Sequence, residues 1–128
     1  MRAAASPHAM PQSSALDPDA IAALKAVSPD DGGAFLNELI GIFLADTPQR
    51  LAEIRDCLGK GDATTLTRAA HSIKGAAGNF GARRLAAAAY QIEQQGKTVN
   101  LAAIPPLLPA LDAEFAAVKA EMEALRVS

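Results

Sequence analysis

Tryptophan is absent, and four phenylalanines and one tyrosine are the only large aromatic residues. The chain therefore lacks most of the bulky side chains that β-sandwiches and barrels are built from, whereas its many alanines favour closely packed helices. Cysteine occurs once, at Cys57, which excludes an internal disulfide and reads as a small buried hydrophobe in a reducing compartment. Charge of one sign is not in excess. Twelve basic residues face fourteen acidic ones, for a net charge of -2, which removes the general electrostatic basis for binding nucleic acid or an anionic membrane. Long hydrophobic runs are also missing. Residues 34–45 form an apolar window of about a dozen residues that includes Asn37 and Glu38, well short of the ~20 needed to cross a bilayer. The first fifteen residues hold one arginine and no continuous apolar stretch, so they read as a disordered tail and not as a signal peptide. A soluble, cytoplasmic protein is expected, and the tail favours a stand-alone chain over a fragment of a larger kinase.

What is present is helical periodicity. At 128 residues the chain fits one domain, which can bury roughly two-thirds of the surface its unfolded form exposes. Asp17 and Pro18 are an N-cap and first-turn proline for a short helix carrying Ile21, Leu24 and Val27. After the Asp30-Asp31-Gly32-Gly33 turn, a long second helix places Leu36, Ile40, Phe43, Thr47, Leu51, Ile54 and Leu58 on one stripe. Its first half has a second stripe, Phe35, Leu39 and Ile42, to be covered by the first helix or left for a partner. Pro48 should kink this helix without ending it, and Gly59 and Gly61 should stop it. Asp62 caps a third helix reaching about Ala77. A fourth runs roughly over residues 82–95, with Leu85, Ala88, Ala89 and Ile92 inward and Gly96 as its stop. The last helix repeats Ile104, Leu108, Leu111, Phe115, Val118, Met122 and Leu125, and Pro109 implies either a kink or a start near Leu108. The expected fold is all-α: an antiparallel four-helix bundle over residues 16–128 with a short additional N-terminal helix, preceded by a tail over residues 1–15.

Residues 68–82, RAAHSIKGAAGNFGA, carry the chemistry. With His71 at zero and about 100° per residue, Leu66, Ala70, Ile73 and Ala77 define a core face whose centre lies about 130° away. Thr64, Thr67, Arg68, Lys74, Gly75 and Gly78 share the side of His71. A lone histidine is usually structural, but a core histidine would sit on the apolar stripe, and this one points away from it. Gly75 and Gly78 also each cost roughly 1 kcal/mol relative to alanine inside a helix. Their benefit would be space, allowing another protein's backbone to approach the imidazole. A neutral imidazole keeps one nitrogen lone pair for nucleophilic attack. Lys74, one turn on, could neutralise a phosphoryl group held there, with Arg68 or Arg83 adding to the field. Other chemistries are poorly supported. His8 lies in the tail, and Cys57 with His71 does not make a metal site. Gly75, Gly78 and Gly81 give GxxGxxG with no preceding strand, which is no nucleotide loop. No Ser or Cys sits in a nucleophile elbow.

The frame formed by His71, Lys74, Gly75, Gly78, Asn79, Gly81 and Ala82 resembles the signature of histidine-containing phosphotransfer (HPt) domains of bacterial multistep phosphorelays. The FLADTP run ending at Pro48 and the Ile92-Glu93 pair are similar in layout as well. The resemblance implies a phosphocarrier: His71 accepts a phosphoryl group on Nε2 from the aspartyl phosphate of one receiver domain and passes it to the aspartate of another. It implies Lys74 as the residue steadying the phosphoryl oxygens, and Thr67, Arg68, Gly75 and Gly78 as the docking face. Asn79 would help form the turn. No cofactor or metal is expected in this chain, Mg²⁺ belonging to the partner receiver, and neither autophosphorylation nor use of ATP is expected. The implied partners are receiver domains of hybrid kinases and response regulators, with no nucleic acid and no membrane, met by a monomer. Some relatives have a glutamine on the next helix reaching toward the histidine. Here Tyr90, Gln91, Glu93 and Gln94 leave that role unassigned. Two further readings compete: a helical adaptor that regulates a receiver or kinase by binding alone, and a helical enzyme using His71 as general base, for which no second titratable group is evident.

Overall fold

A computed structural model describes residues 14–126. Among the described residues five α-helices follow one another: α1 Pro18–Val27, α2 Ala34–Lys60, α3 Ala63–Asn79, α4 Arg83–Lys97 and α5 Leu108–Leu125, the last preceded by two 3₁₀ turns, Leu101–Ala103 and Pro105–Leu107. Each of α2 to α5 packs on its neighbour in sequence, α5 returns to α2, and α1 lies on α2. This is the expected four-helix bundle with an added N-terminal helix. Its core is aliphatic, with Ile40, Ile54, Leu66, Ile73, Leu85, Ile92, Ile104, Leu111, Val118 and Met122 essentially inaccessible. A small aromatic cluster adds to it, Phe43 meeting Phe80 edge-on at 5.4 Å and Phe115 at 6.1 Å. Cys57 is buried and free, and burial pushes its thiol pKa up, away from reactivity.

The helix starts follow their local chemistry. Asp17 accepts from Asp19 N at the head of α1, and Asp62 accepts from Thr65 N at the head of α3. Pro109 sits in the first turn of α5, so a start at Leu108, and not a kink, accommodates it. The helix α2 is continuous through Pro48 and through Gly59, ending at Lys60 with Gly61 left-handed.

Three helix ends share one hydrogen-bond pattern, in which the residue after a left-handed position bonds back five residues and the left-handed residue bonds back three. At the end of α2 these are Asp62 N to Cys57 O and Gly61 N to Leu58 O, and at the end of α3, Ala82 N to Ala77 O and Gly81 N to Gly78 O. At the end of α4 they are Asn100 N to Gln95 O and Val99 N to Gly96 O. The left-handed residues are therefore Gly61, Gly81 and, against expectation, Val99 at φ 54°.

Several expectations need correcting. Gly96 does not stop α4; it is buried within it, because a Cβ there would overlap Thr67 Oγ1 of α3. Val27 at the end of α1 and Ile42 on α2 are exposed, so α1 covers only part of the second stripe of α2. The bundle also begins before residue 16. Glu121 of α5 accepts from Ser14 Oγ and from the backbone nitrogens of Ala15 and Leu16, and both Ala15 and Leu16 are buried. The rest of the expected tail, with His8, lies outside the described residues. The stretch Leu101–Leu125 contains an 18-residue window of mean hydropathy 1.4 and is, by length and composition only, long and apolar enough to cross a membrane, which the window at residues 34–45 did not anticipate. Within the bundle its Ile104, Leu111, Val118 and Met122 point into the core.

Candidate functional site

His71 lies midway along α3, on the side opposite the buried Leu66, Ala70, Ile73 and Ala77. Its side chain is 65% exposed. The helical projection thus places the imidazole as expected. An added Cβ at Gly75 or at Gly78 would meet nothing within 4 Å. Beyond His71 toward the end of α3, the surface at these two positions is bare backbone.

Beneath the ring lies the residue the sequence reading left unassigned. Glu93 of α4 is only 2% exposed, and its Oε2 is 2.8 Å from His71 Nδ1. Lys74 Nζ is 2.8 Å from Oε1, an ion pair whose angle falls short of a directed hydrogen bond. Lys97 Nζ lies 3.6 Å from Oε2. Burial alone would raise the Glu93 pKa. Contacts from Lys74 and His71, together with their charge, outweigh it and hold the carboxyl below its ordinary value.

An ionised carboxylate can only accept, so the contact at Nδ1 requires a proton on that nitrogen. In the neutral ring Nε2 then bears the lone pair. The ring is consequently fixed in orientation and in tautomer from one side and open on the other. Any bond formed at Nε2 would give the imidazole positive charge, which Glu93, against Nδ1, would offset. Lys74 is 31% exposed, between Oε1 and the Tyr90 ring, whose centroid is 5.2 Å from Nζ. Tyr90 is itself half exposed.

The other expected residues fall as follows. Arg68 is exposed on α3, one turn before His71. Thr67 is half-buried, its hydroxyl donating to Ala63 O at 2.7 Å and its side chain facing Gly96 of α4. Arg83 is paired with Asp17 at 3.0 Å. At ten residues from Glu93, it stands on the order of 15 Å away along α4, too far to add to the field at His71. Asn79 is the exposed last residue of α3, and the left-handed turn residue is Gly81. Among the described residues no group of three His, Cys, Asp or Glu could hold a metal.

Glu93 was not picked out because acidic residues are usually placed at the surface. Its signal was positional: it follows Ile92 at the edge of the Leu85, Ala89, Ile92 stripe, where a carboxylate must find a partner.

Comparison with known proteins identifies the family. The Hpt domain family matches residues 38–126. A crystal structure of histidine-containing phosphotransfer protein B (HptB) from Pseudomonas aeruginosa PAO1 superposes with a TM-score of 0.79 at 30% identity, covering 88% of this chain and 94% of that one. Among curated proteins none matches significantly. A family match over most of the sequence and a solved relative of the same architecture lead to one conclusion: the chain belongs to the Hpt domain family.

Proposed function

We propose that this chain is a phosphorelay intermediate in which His71 Nε2 accepts a phosphoryl group from a receiver-domain aspartyl phosphate and returns it to the aspartate of a second receiver. The observation that carries the reading is the asymmetric setting of the ring, tied at Nδ1 to buried Glu93 and open at Nε2 beside two glycines. Phosphoryl transfer needs in-line positioning and charge stabilisation more than covalent help from the protein. Lys74 supplies positive charge for the phosphoryl oxygens. The Mg²⁺ and the acidic pocket come with the receiver. Gly75 and Gly78 admit its backbone, with Arg68 and the exposed edge of Thr67 at the rim of the contact. The chain acts as a carrier and not as an ATP-dependent kinase, in the compartment where receivers work.

Incubation with a radiolabelled, phosphorylated receiver domain should transfer label to the chain in an acid-labile, alkali-stable form, and His71→Gln should abolish it. Label persisting in that variant would overturn the assignment. If the chain regulates a receiver equally well without His71, it works as an adaptor by binding alone.

A further inference from the structure

Glu93 is a buried carboxylate facing three groups: His71 and Lys74 from α3, and Lys97 from its own helix one turn further on. Those three are the charged or titratable side chains paired with it among the described residues. In the resting arrangement Lys74 makes the closer ion pair, while Lys97 stands at 3.6 Å with a side chain 56% exposed. Lys97 is thus the more distant and more solvent-exposed of the two counter-ions, and near enough to close further on Oε2.

The demand on Lys74 changes when His71 is loaded. Nε2 forms its bond to phosphorus as the P–O bond to the receiver aspartate breaks, the aspartyl oxygen keeps the electron pair, and the Nδ1 proton stays on the ring. Lys74 and Nδ1 converge on one carboxylate, whereas the phosphoryl group is attached across the ring at Nε2. An ammonium that turns to the phosphoryl oxygens loosens its hold on Oε1. Glu93 cannot remain buried and ionised without a counter-charge, and protonating it would remove the acceptor that holds Nδ1–H.

Building on the phosphocarrier reading, we propose that Lys97 is a positioning residue for phosphotransfer, replacing Lys74 as the counter-ion of Glu93 once His71 carries the phosphoryl group. Lys97 touches neither the imidazole nor the phosphate. It acts through Glu93, which keeps the ring oriented and its positive charge offset while Lys74 is engaged elsewhere.

The test uses the full-length chain loaded chemically with phosphoramidate, whose N–P bond breaks with loss of ammonia as His71 is phosphorylated. No receiver is required. NMR follows the His71 Nδ1–H resonance and the lifetime of the phosphohistidine in wild type, Lys97→Met and Lys97→Arg. Lys97→Met should resemble wild type before loading. After loading it should lose the protected Nδ1–H resonance, and the lifetime of its phosphohistidine should change ~5-fold, as expected for loss of one ion pair of modest strength. Lys97→Arg should restore both. In a Lys74→Met background, dependence on Lys97 should appear already in the resting protein. A loaded Lys97→Met that keeps its resonance and a lifetime within ~2-fold of wild type would overturn the proposal. So would loss of the resonance before loading, since Lys97 would then be an ordinary partner of Glu93. Should no receiver ever phosphorylate the chain, the relay reading fails, yet the chemically loaded variants still report on Lys97.

Discussion

Two pairs of glycines in the same bundle do opposite things. Gly75 and Gly78 face open space, where a Cβ would touch nothing within 4 Å. Gly81 and Gly96 face inward: a Cβ on Gly81 would overlap the Asp17 side chain and stand 3.1 Å from its backbone nitrogen, and one on Gly96 would overlap Thr67 Oγ1. The inner pair lets segments of the chain approach one another. The outer pair gives up helix stability with no return inside the molecule, which is the expected signature of space kept for something outside it.

The sharpest way to separate the pairs is Gly81→Ala. It sets a side chain at φ +67° and against Asp17, so strain and overpacking together should remove ~3 kcal/mol of stability in urea unfolding. A loss below ~1 kcal/mol would mean that the α3–α4 turn relaxes freely. Gly75→Leu should behave in reverse, raising helix stability by up to ~1 kcal/mol while slowing transfer from a phosphorylated receiver ~10-fold or more through lost approach. Faster or unchanged transfer would erase the contrast between the pairs. Smallest is Val99→Gly. Val99 occupies the left-handed position that Gly61 and Gly81 fill elsewhere, so glycine there should raise the unfolding free energy by ~1 kcal/mol. A destabilised variant would show that the strain is offset by contacts of the valine.

Much of this was legible in advance. The core stripe of α3 and the exposure of His71 follow from a 3.6-residue period and an alanine-rich sequence, so the outward face could be drawn residue by residue. The start of α5 was only half legible: Pro109 implied either a kink or a start near Leu108, and the passage of α2 through Pro48 shows that a proline alone does not decide between them. Elsewhere local rules misled where tertiary packing overrode them. Gly96 reads as a stop because glycine commonly ends helices, yet the close approach of Thr67 requires its missing Cβ. The true stop, Val99, is a β-branched residue that no local rule would place at positive φ. Glu93 was hidden for a related reason: its partners, His71 and Lys74, are about twenty positions away, so only the packing of α3 on α4 brings them together.

His71 Nδ1 is held by a side chain from a different helix, which makes the orientation and tautomer of the imidazole depend on interhelical registry. Local opening of α4 carries Glu93 away and leaves the imidazole free to turn and to exchange tautomers. A loosened molecule can still expose a histidine, but not one fixed at Nδ1. The setting of the imidazole thus reports on the packing of α4 against α3 and not only on the sequence around His71.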